Sequence, residues 1–512
     1  MSTQLTLNLN NPHFTLLHRA GLAGLWMSLK QLDAETYIRD RPGNLTWQLT
    51  ADQVSLQWKG EDFQVLNWLL NESFQLDDGR ISLRGLDSKT MDIQSQLILH
   101  QGILGTFLQH NKTHTSTGLV SKSFILEEGK PELVARYKHL SGYIYQQAKI
   151  LCDKQGKFLT KPIKVPGWLN PGTVVRHIAF SSSTSFEEPP DAVFVLLFAA
   201  VACCYYSIRS KLRDKRAEYA LVIPEITNLA DYANWRCHRK WREEGYKDFF
   251  ASGLGDAGLK FLTYITRDIL AERPFQRCQV ITLGTVPWAS QQKTRTDLYL
   301  VEANERIERN YQVCDNYLST RDVAGKEGLF ISCSFARELI AENLARGKLW
   351  YAGLADNATS NELFQKLTYE RGGLNQMVQE VEWDRESEKL FVKACHEAIG
   401  YNHKQLYKRA KEKKEVPNYE REDTKFRTGL ARCKTAVAFR EFITDYLSRA
   451  RFMPTLEENW EEFMDLIMGA KDWKKGRDLA LLALASYQRS SQSQKAATEE
   501  SAEDEDEIDF GY

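Results

Sequence analysis

The run Ala192–Tyr206, AVFVLLFAAVACCYY, holds fifteen consecutive apolar residues, and what it becomes decides the fold. Fifteen residues fall short of the roughly 18 to 20 that a membrane-spanning helix needs. The run is therefore expected to be buried core, and its β-branched and aromatic first half suits an interior strand. A membrane association through 192–206 is the disfavoured reading.

Upstream of this run, TQLTLNL at 3–9 alternates like a strand, and Asn10-Asn11-Pro12 breaks it. Leu17, Leu22, Leu25 and Leu29 then recur at helical spacing through 14–32. Two hairpins come next, at 45–58 and 73–85, the second turning on Asp77-Asp78-Gly79. Helical stretches are expected at 62–71 and 91–108. From about 120 to 300, strand-like runs (Lys122–Leu126, Ala220–Ile223, Cys278–Leu283, Asp297–Val301) alternate with helical ones.

After about 304 the strand signals fade. Amphipathic stretches take over at 384–412, 422–450, 456–469 and 473–489, with Pro417 and Pro454 between them. The fold class is thus an α+β N-terminal and central region with a C-terminal all-α helical bundle. The expected parts are an α+β domain at 1–303, a helical connector at 304–376, a bundle at 377–490 and a disordered acidic tail at 491–512.

The chain has 512 residues, with 67 basic and 68 acidic side chains. Eight of the acids lie in the last fourteen positions, so the rest of the chain carries 67 basic against 60 acidic residues. That surplus can serve nucleic acid only where it clusters. Nine scattered cysteines without a C-x-x-C motif suit a reducing, cytoplasmic setting. Residues 1–10 lack the charged start and apolar core of a signal peptide.

Catalytic motifs are missing. No Gly-Lys pair is followed by Ser or Thr, as a phosphate-binding loop requires, and neither H-E-x-x-H nor G-x-S-x-G occurs. Ser181-Ser182-Ser183 reads as a loop. Gly253-x-Gly255-x-x-Gly258 matches a dinucleotide fingerprint in form. The residues before it, Tyr246–Phe250, continue a charged helix-like stretch, so a turn opening a helix at Leu259 is the preferred account. A non-enzyme without metal or cofactor is expected, and a metal-dependent nuclease built on dispersed carboxylates is the alternative.

Three clusters stand out instead. Between 149 and 177, Lys149, Lys154, Lys157, Lys161, Lys164, Arg176 and His177 surround the turns Pro166-Gly167 and Pro171-Gly172, opposed only by Asp153. Such loops let backbone amides, lysines and Asn170 approach phosphates closely, and a solvated strand pair accounts for them equally well. In WRCHRKW at 235–241, Arg236, Arg239 and Lys240, with Lys247, can share a helix face while Trp241 packs inward. A surface helix paired with Glu243 and Glu244 is slightly favoured over a phosphate-tracking one. The densest cluster holds Lys404, Lys408, Arg409, Lys411, Lys413 and Lys414, beside His403, followed on the next helix by Lys425, Arg427, Arg432, Lys434, Arg440, Arg449 and Arg451. A basic stripe on a helical bundle holds backbone phosphates without reading sequence, though any single residue can equally belong to a solvated face. Lys293 and Arg295 are further candidates for backbone contact.

Three blocks, NNPHFTLLHRAGLAGLWMSLKQL (Asn10–Leu32), PGWLNPGTVVRHIAFSSSTSFEEPP (Pro166–Pro190) and the apolar run after them, together resemble one family. It is the Cas-eight large subunit, of the Myxan kind, of type I CRISPR Cascade complexes, and the resemblance covers about the first 210 residues. It implies a non-catalytic subunit that recognises a protospacer-adjacent motif (PAM) on duplex DNA, promotes R-loop formation and holds the displaced strand, while base pairing reads the target. The implied partners are crRNA, target double-stranded DNA, other Cascade backbone and cap subunits, and a recruited helicase-nuclease or Tn7-like transposition proteins. The implied motif and duplex contacts are Lys161, Lys164, Asn170, Gly172, Arg176 and His177.

The resemblance also implies a small subunit made from an internal start. Met377, after Glu370-Arg371-Gly372-Gly373, fits that role, and it fits a buried helix position as well.

Overall fold

The computed structural model describes residues 2–171, 186–210, 218–264, 275–288, 291–325, 328–358, 360–469 and 471–488. The chain forms two compact units, one from residues 1–308 with 320–333 and the other from residues 309–319 with 334 onward. The first mixes helices with every described strand. The second is helical throughout, which is the fold class the sequence predicts.

The first unit opens with β1 (Ser2–Asn8), α1 (Leu16–Glu35), β2 (Thr46–Leu49) and β3 (Gln53–Lys59), the strands forming an antiparallel sheet in the order β1-β3-β2. After α2 (Asp62–Ser73), the hairpin β4 (Phe74–Asp77) and β5 (Arg80–Leu83) turns on Asp78 and Gly79, both at positive φ. That conformation is what a two-residue turn between twisted strands requires, and Asp-Gly tolerates it best.

Then come α3 (Ile93–Gly105), the long pair β6 (His114–Phe124) and β7 (Leu133–Tyr143), and the short pair β8 (Ile163–Lys164) and β9 (Glu187–Glu188). The decisive apolar run departs from expectation. Its first part forms α4 (Pro190–Leu197) and α5 (Ala199–Ala202), and only its end becomes a strand, β10 (Cys204–Ile208). Pro189 and Pro190 preset the backbone for a first helical turn. A helix apolar on every side is stable only inside, and every residue from 192 to 202 is buried.

Room for it comes from α1, where Gly21 and Gly24 face the carbonyl groups of Val195 and Phe198 with no space for a Cβ. Beside this helix pair, Phe194 packs on Phe198 (ring centroids 5.5 Å apart), Phe198 on Phe74 (5.3 Å), and Phe74 on Tyr145 (5.2 Å).

The rest of this unit runs through β11 (Glu218–Pro224), α6 (Leu229–Arg236), α7 (Arg239–Arg242), β12 (Phe250–Ala251), α8 (Leu254–Thr263), β13 (Arg277–Trp288) and β14 (Gln291–Glu302). A five-stranded sheet in the order β12-β10-β11-β13-β14 is antiparallel except for β10 with β12. After α9 (Glu305–Tyr317), two more strands, β15 (Arg321–Gly325) and β16 (Gly328–Ser332), complete a four-stranded sheet, β15-β16-β7-β6. This pair lies beyond 304, where the sequence signals only helix.

The second unit continues with α10 (Phe335–Ala345), α11 (Leu354–Asn357), α12 (Asn361–Tyr369), α13 (Arg371–Glu380), α14 (Glu386–Lys413), α15 (Tyr419–Arg432), α16 (Ala436–Ser448), α17 (Pro454–Glu458), α18 (Trp460–Met468) and α19 (Trp473–Ser486). The stretch expected as one helix at 422–450 breaks at Cys433. Thr435 there accepts from the Ala438 amide and caps a new helix.

Helix α19 is the hub, packed by α11 to α16 and α18 and buried continuously from Gly476 to Ser486. Its two central charges are matched. Arg477 pairs with Asp356 (2.7 Å), and Asp478 accepts from the amides of Gly353 (2.7 Å) and Ala355 (3.0 Å). Met377 is fully buried in α13, the structural half of the two readings it allowed.

Candidate nucleic-acid interface

Helix α14 buries Phe391, Val392, Ala394, Cys395, Ala398 and Ile399 in its first half, against α19. His396 faces the same seam, its Nε2 2.9 Å from Ser486 Oγ, and burial pulls its pKa down to about 4. Beyond Ile399 only His403 and Ala410 of this helix are buried. His403 still turns inward to Asp423 (2.9 Å), while Lys404, Lys408, Arg409, Lys411, Lys413 and Lys414 are all exposed. The spacing of four and three puts Lys404, Lys408 and Lys411 on one face.

Lys414 closes the helix in the left-handed conformation, and Asn418 opens α15 by accepting from the Arg421 amide. One side of α15 forms a shallow open groove lined by Asn418, Arg421, Thr424, Lys425, Thr428 and Arg432 among others. Positions 418, 421, 425, 428 and 432 recur at helical spacing, so three cations share a single stripe with Asn418 and Thr428. Gly429 lies behind it, where a Cβ would strike the Phe442 ring, and α16 backs the groove. Across 404–434, eleven basic residues face five acidic ones. The opposing acids are Glu412, Glu415, Glu420, Glu422, which binds Lys425, and Asp423. Arg427 is the exception among the candidates, since it is buried over Phe364 and bonded to Asn361.

In the first unit, Lys149, Lys154, Lys157, Lys161 and Lys164 are exposed, while Asn170 is buried at 5% exposure. Asp153 is used up locally, accepting from the amides of Gln155 and Lys157 (both 2.9 Å). It is not the only acid near the cluster, because β9 sets Glu187 opposite Lys164. Gly172, Arg176 and His177 lie outside the described residues, as do Ser181–Ser183 and residues 491–512. Lys293 and Arg295 fall on β14 opposite Val286 and Gly284, and their side chains lie outside the described residues.

The segment 235–241 is no phosphate-tracking helix. The helix breaks at Cys237, and Arg236 turns inward over the Trp241 ring (5.1 Å). It lines a small internal cavity with Cys204 and Glu244, whose carboxyl burial pushes up to about 8. The remaining cations are engaged on the surface: Arg239 with Glu243 (2.8 Å), Lys240 over Tyr264 (5.1 Å) and Lys247 with Asp322 (3.1 Å). Aromatic packing of Trp235 and Trp241 against Phe261 and Phe275 explains the inversion, because burying the tryptophans drags the adjacent arginine with them.

The glycine-rich segment also corrects the sequence reading. Strand β12 precedes it, and α8 starts at Leu254. The site is nevertheless filled. Asp256 accepts from the Ser252 amide (2.7 Å) and hydroxyl (2.9 Å), which sets a carboxylate at the helix start, and a Cβ on Gly258 would collide with Val301 and Val280. Gly258 thus serves packing of helix on sheet.

Among the described residues no three His, Cys, Asp or Glu side chains gather as a metal site, and no helix is long and apolar enough to cross a membrane. Burial raises the thiols of Cys152 and Cys204 to about 11.

Comparison with known proteins gives this geometry a context. Residues 6–197 match the DevT N-terminal domain and residues 379–511 the DevT C-terminal domain. The chain is also 28% identical to the CRISPR-associated protein Cas8a1/Csx13 of Myxococcus xanthus (strain DK1622), across 94% of this chain and 88% of that protein. Both clusters of exposed lysines fall inside the matched segments.

Proposed function

We propose that this chain, which belongs to the DevT family of CRISPR-associated Cas8a1/Csx13-like large subunits, works as a non-catalytic nucleic-acid-holding subunit of an RNA-guided type I complex in the cytoplasm. The observation that carries this reading is the exposed basic face of α14 and α15. Charge, hydroxyls and an amide line one stripe of α15, and exposed lysines line α14. Such a face grips backbone phosphates whatever the sequence. Its role in the complex is to hold the DNA strand displaced when crRNA pairs with its target.

The lysines of 149–164, continuing toward Arg176 and His177, take the second role, contact with the duplex beside the adjacent motif. Lys161 and Lys164 are exposed enough to meet phosphates, and motif reading falls to residues after Pro171. Strand opening starts there, and a helicase-nuclease or transposition machinery acts once the R-loop is held.

The test uses the reconstituted RNA-guided complex and target duplex. Neutralising Lys161, Lys164 and Arg176 should weaken capture of intact duplex while leaving binding to a pre-opened target near normal. Neutralising Lys404, Lys408 and Lys411 should weaken both. Intact-duplex binding that survives both sets at moderate salt removes the assignment.

A further inference from the structure

The basic face of the second unit has a candidate occupant within the same chain. Helix α19 ends at Ser486, and Tyr487 packs beside α14, its ring 5.4 Å from His403 and 6.0 Å from His396. The chain therefore leaves the bundle next to His403, beside the run of exposed lysines that starts at Lys404. The end of the chain is strongly acidic. Residues 499–512, EESAEDEDEIDFGY, carry eight carboxylates and no basic side chain.

We propose that, without nucleic acid, the acidic segment Glu499–Asp509 docks on the basic face formed by Lys404, Lys408 and Lys411 with Arg421, Lys425 and Arg432, and that a phosphate backbone must displace it. The inference rests on the reading of this face as a nucleic-acid surface. Charge and reach both fit. Glu503 lies fifteen residues beyond Gln488, a stretch that can span up to about 50 Å, whereas the lysine run from 404 to 414 is only about 15 Å long on a helix. A tether of that length holds its acids at an effective concentration on the order of 1 mM. Carboxylates spaced along an extended chain offer the lysines the same contacts as successive phosphates, at a lower charge density. The intramolecular partner is therefore displaced by a bound strand and excludes weak, incidental ones. With a local affinity on the order of 0.1 mM, at the weak end of non-specific phosphate binding, the tail would mask the face about tenfold.

Two measurements on the purified chain test this, each made with the whole chain, with a chain stopped after Gln488, and with a full-length variant whose eight tail carboxylates are changed to amides. The first is lysine acetylation at low salt without nucleic acid. Lys404, Lys408 and Lys411 should react more slowly in the whole chain than in the other two, while Lys154 and Lys157 react alike in all three. The second is binding of a single-stranded oligonucleotide. It should tighten about tenfold on tail removal or neutralisation at about 50 mM salt, with the gain fading by about 0.3 M as screening grows. Equal acetylation in all three chains overturns the inference. If acetylation is equal while the Lys404→Gln, Lys408→Gln, Lys411→Gln variant still loses oligonucleotide binding, only the tail docking falls. If the tail protects the lysines but that triple variant binds oligonucleotide normally, docking stands and the strand-holding role falls.

Discussion

Replacing Gly24 with alanine tests how the core of the first unit is built. A Cβ there would lie 3.0 Å from both the Phe198 carbonyl carbon and Val201 Cβ, and at Gly21 it would lie 2.8 Å from the Val195 carbonyl carbon. Carbon atoms prefer about 3.5–4.0 Å, so α1 must back away from α4 and α5 by the better part of an ångström. The opposing atoms are largely backbone, and no flexible side chain can swing aside. Overpacking costs about 1–3 kcal/mol where some relief exists, and the loosened helix contact adds to it, so about 3 kcal/mol is expected for Gly24→Ala. Because one retreat of α1 relieves both clashes, the Gly21→Ala, Gly24→Ala double variant should cost clearly less than the sum of the singles. Guanidinium unfolding monitored by circular dichroism reads these differences, and Gly142→Ala, whose nearest neighbour is 3.8 Å away, serves as a control near zero. Single variants within about 0.5 kcal/mol of the unaltered chain, or strictly additive costs, would refute the close-packing argument.

Buried polar groups give two further expected outcomes. His100 accepts the Ile81 amide at Nδ1 (3.1 Å) and places Nε2 2.7 Å from the Lys138 carbonyl, so it is held neutral, and burial lowers its pKa to about 4. A lowered histidine pKa means that stability is complete above about 6.5 and is lost as the pH falls toward 4. At pH 5 the loss is about 2 kcal/mol, and His100→Gln should flatten that part of the urea-midpoint profile between pH 7.5 and 5; an unchanged slope contradicts the assignment. In the second unit, a fragment starting at Met377 would lack Gly353, Ala355 and Asp356, the partners of Asp478 and Arg477. A chain of residues 377–512 should therefore unfold at clearly lower denaturant than 334–512, and equal midpoints would show that the α19 charges need no such partners. The same fragment bears on internal initiation, which a Met377→Leu codon change in the expressed gene tests by the loss or survival of a short product.

Much of the architecture is legible in the sequence because local chemistry and burial agree. The β4–β5 hairpin is dictated by Asp-Asp-Gly between alternating runs, and the C-terminal helices by their periodic apolar faces. Where the reading fails, a distant partner decides. The first half of the apolar run looks like a strand by composition, yet small residues on α1, 170 positions earlier, make a slot for a helix. Gly21 and Gly24 carried that signal, and a count of leucines at helical spacing passes over them.

The candidate site divides similarly. Exposure of the lysines at 404, 408, 411, 413 and 414 is readable from a helix whose apolar face thins after Ile399. The burial of Arg236 is not, since it depends on how Trp235 and Trp241 meet Phe261 and Phe275. Charge density alone does not mark Arg421 and Thr428 on the α15 stripe, and the recurrence at 418, 421, 425, 428 and 432 is the pattern that finds them.

The central claim is that the α14–α15 face holds nucleic-acid backbone by charge, and its most direct test is the salt dependence of single-strand binding. Each phosphate contact contributes about 0.7 to the slope of log affinity against log salt for a single strand. The Lys404→Gln, Lys408→Gln, Lys411→Gln variant should therefore lose about 2 from that slope and bind all oligonucleotide sequences more weakly to the same degree. A slope equal to that of the unaltered chain, or a loss confined to one base sequence, would contradict it.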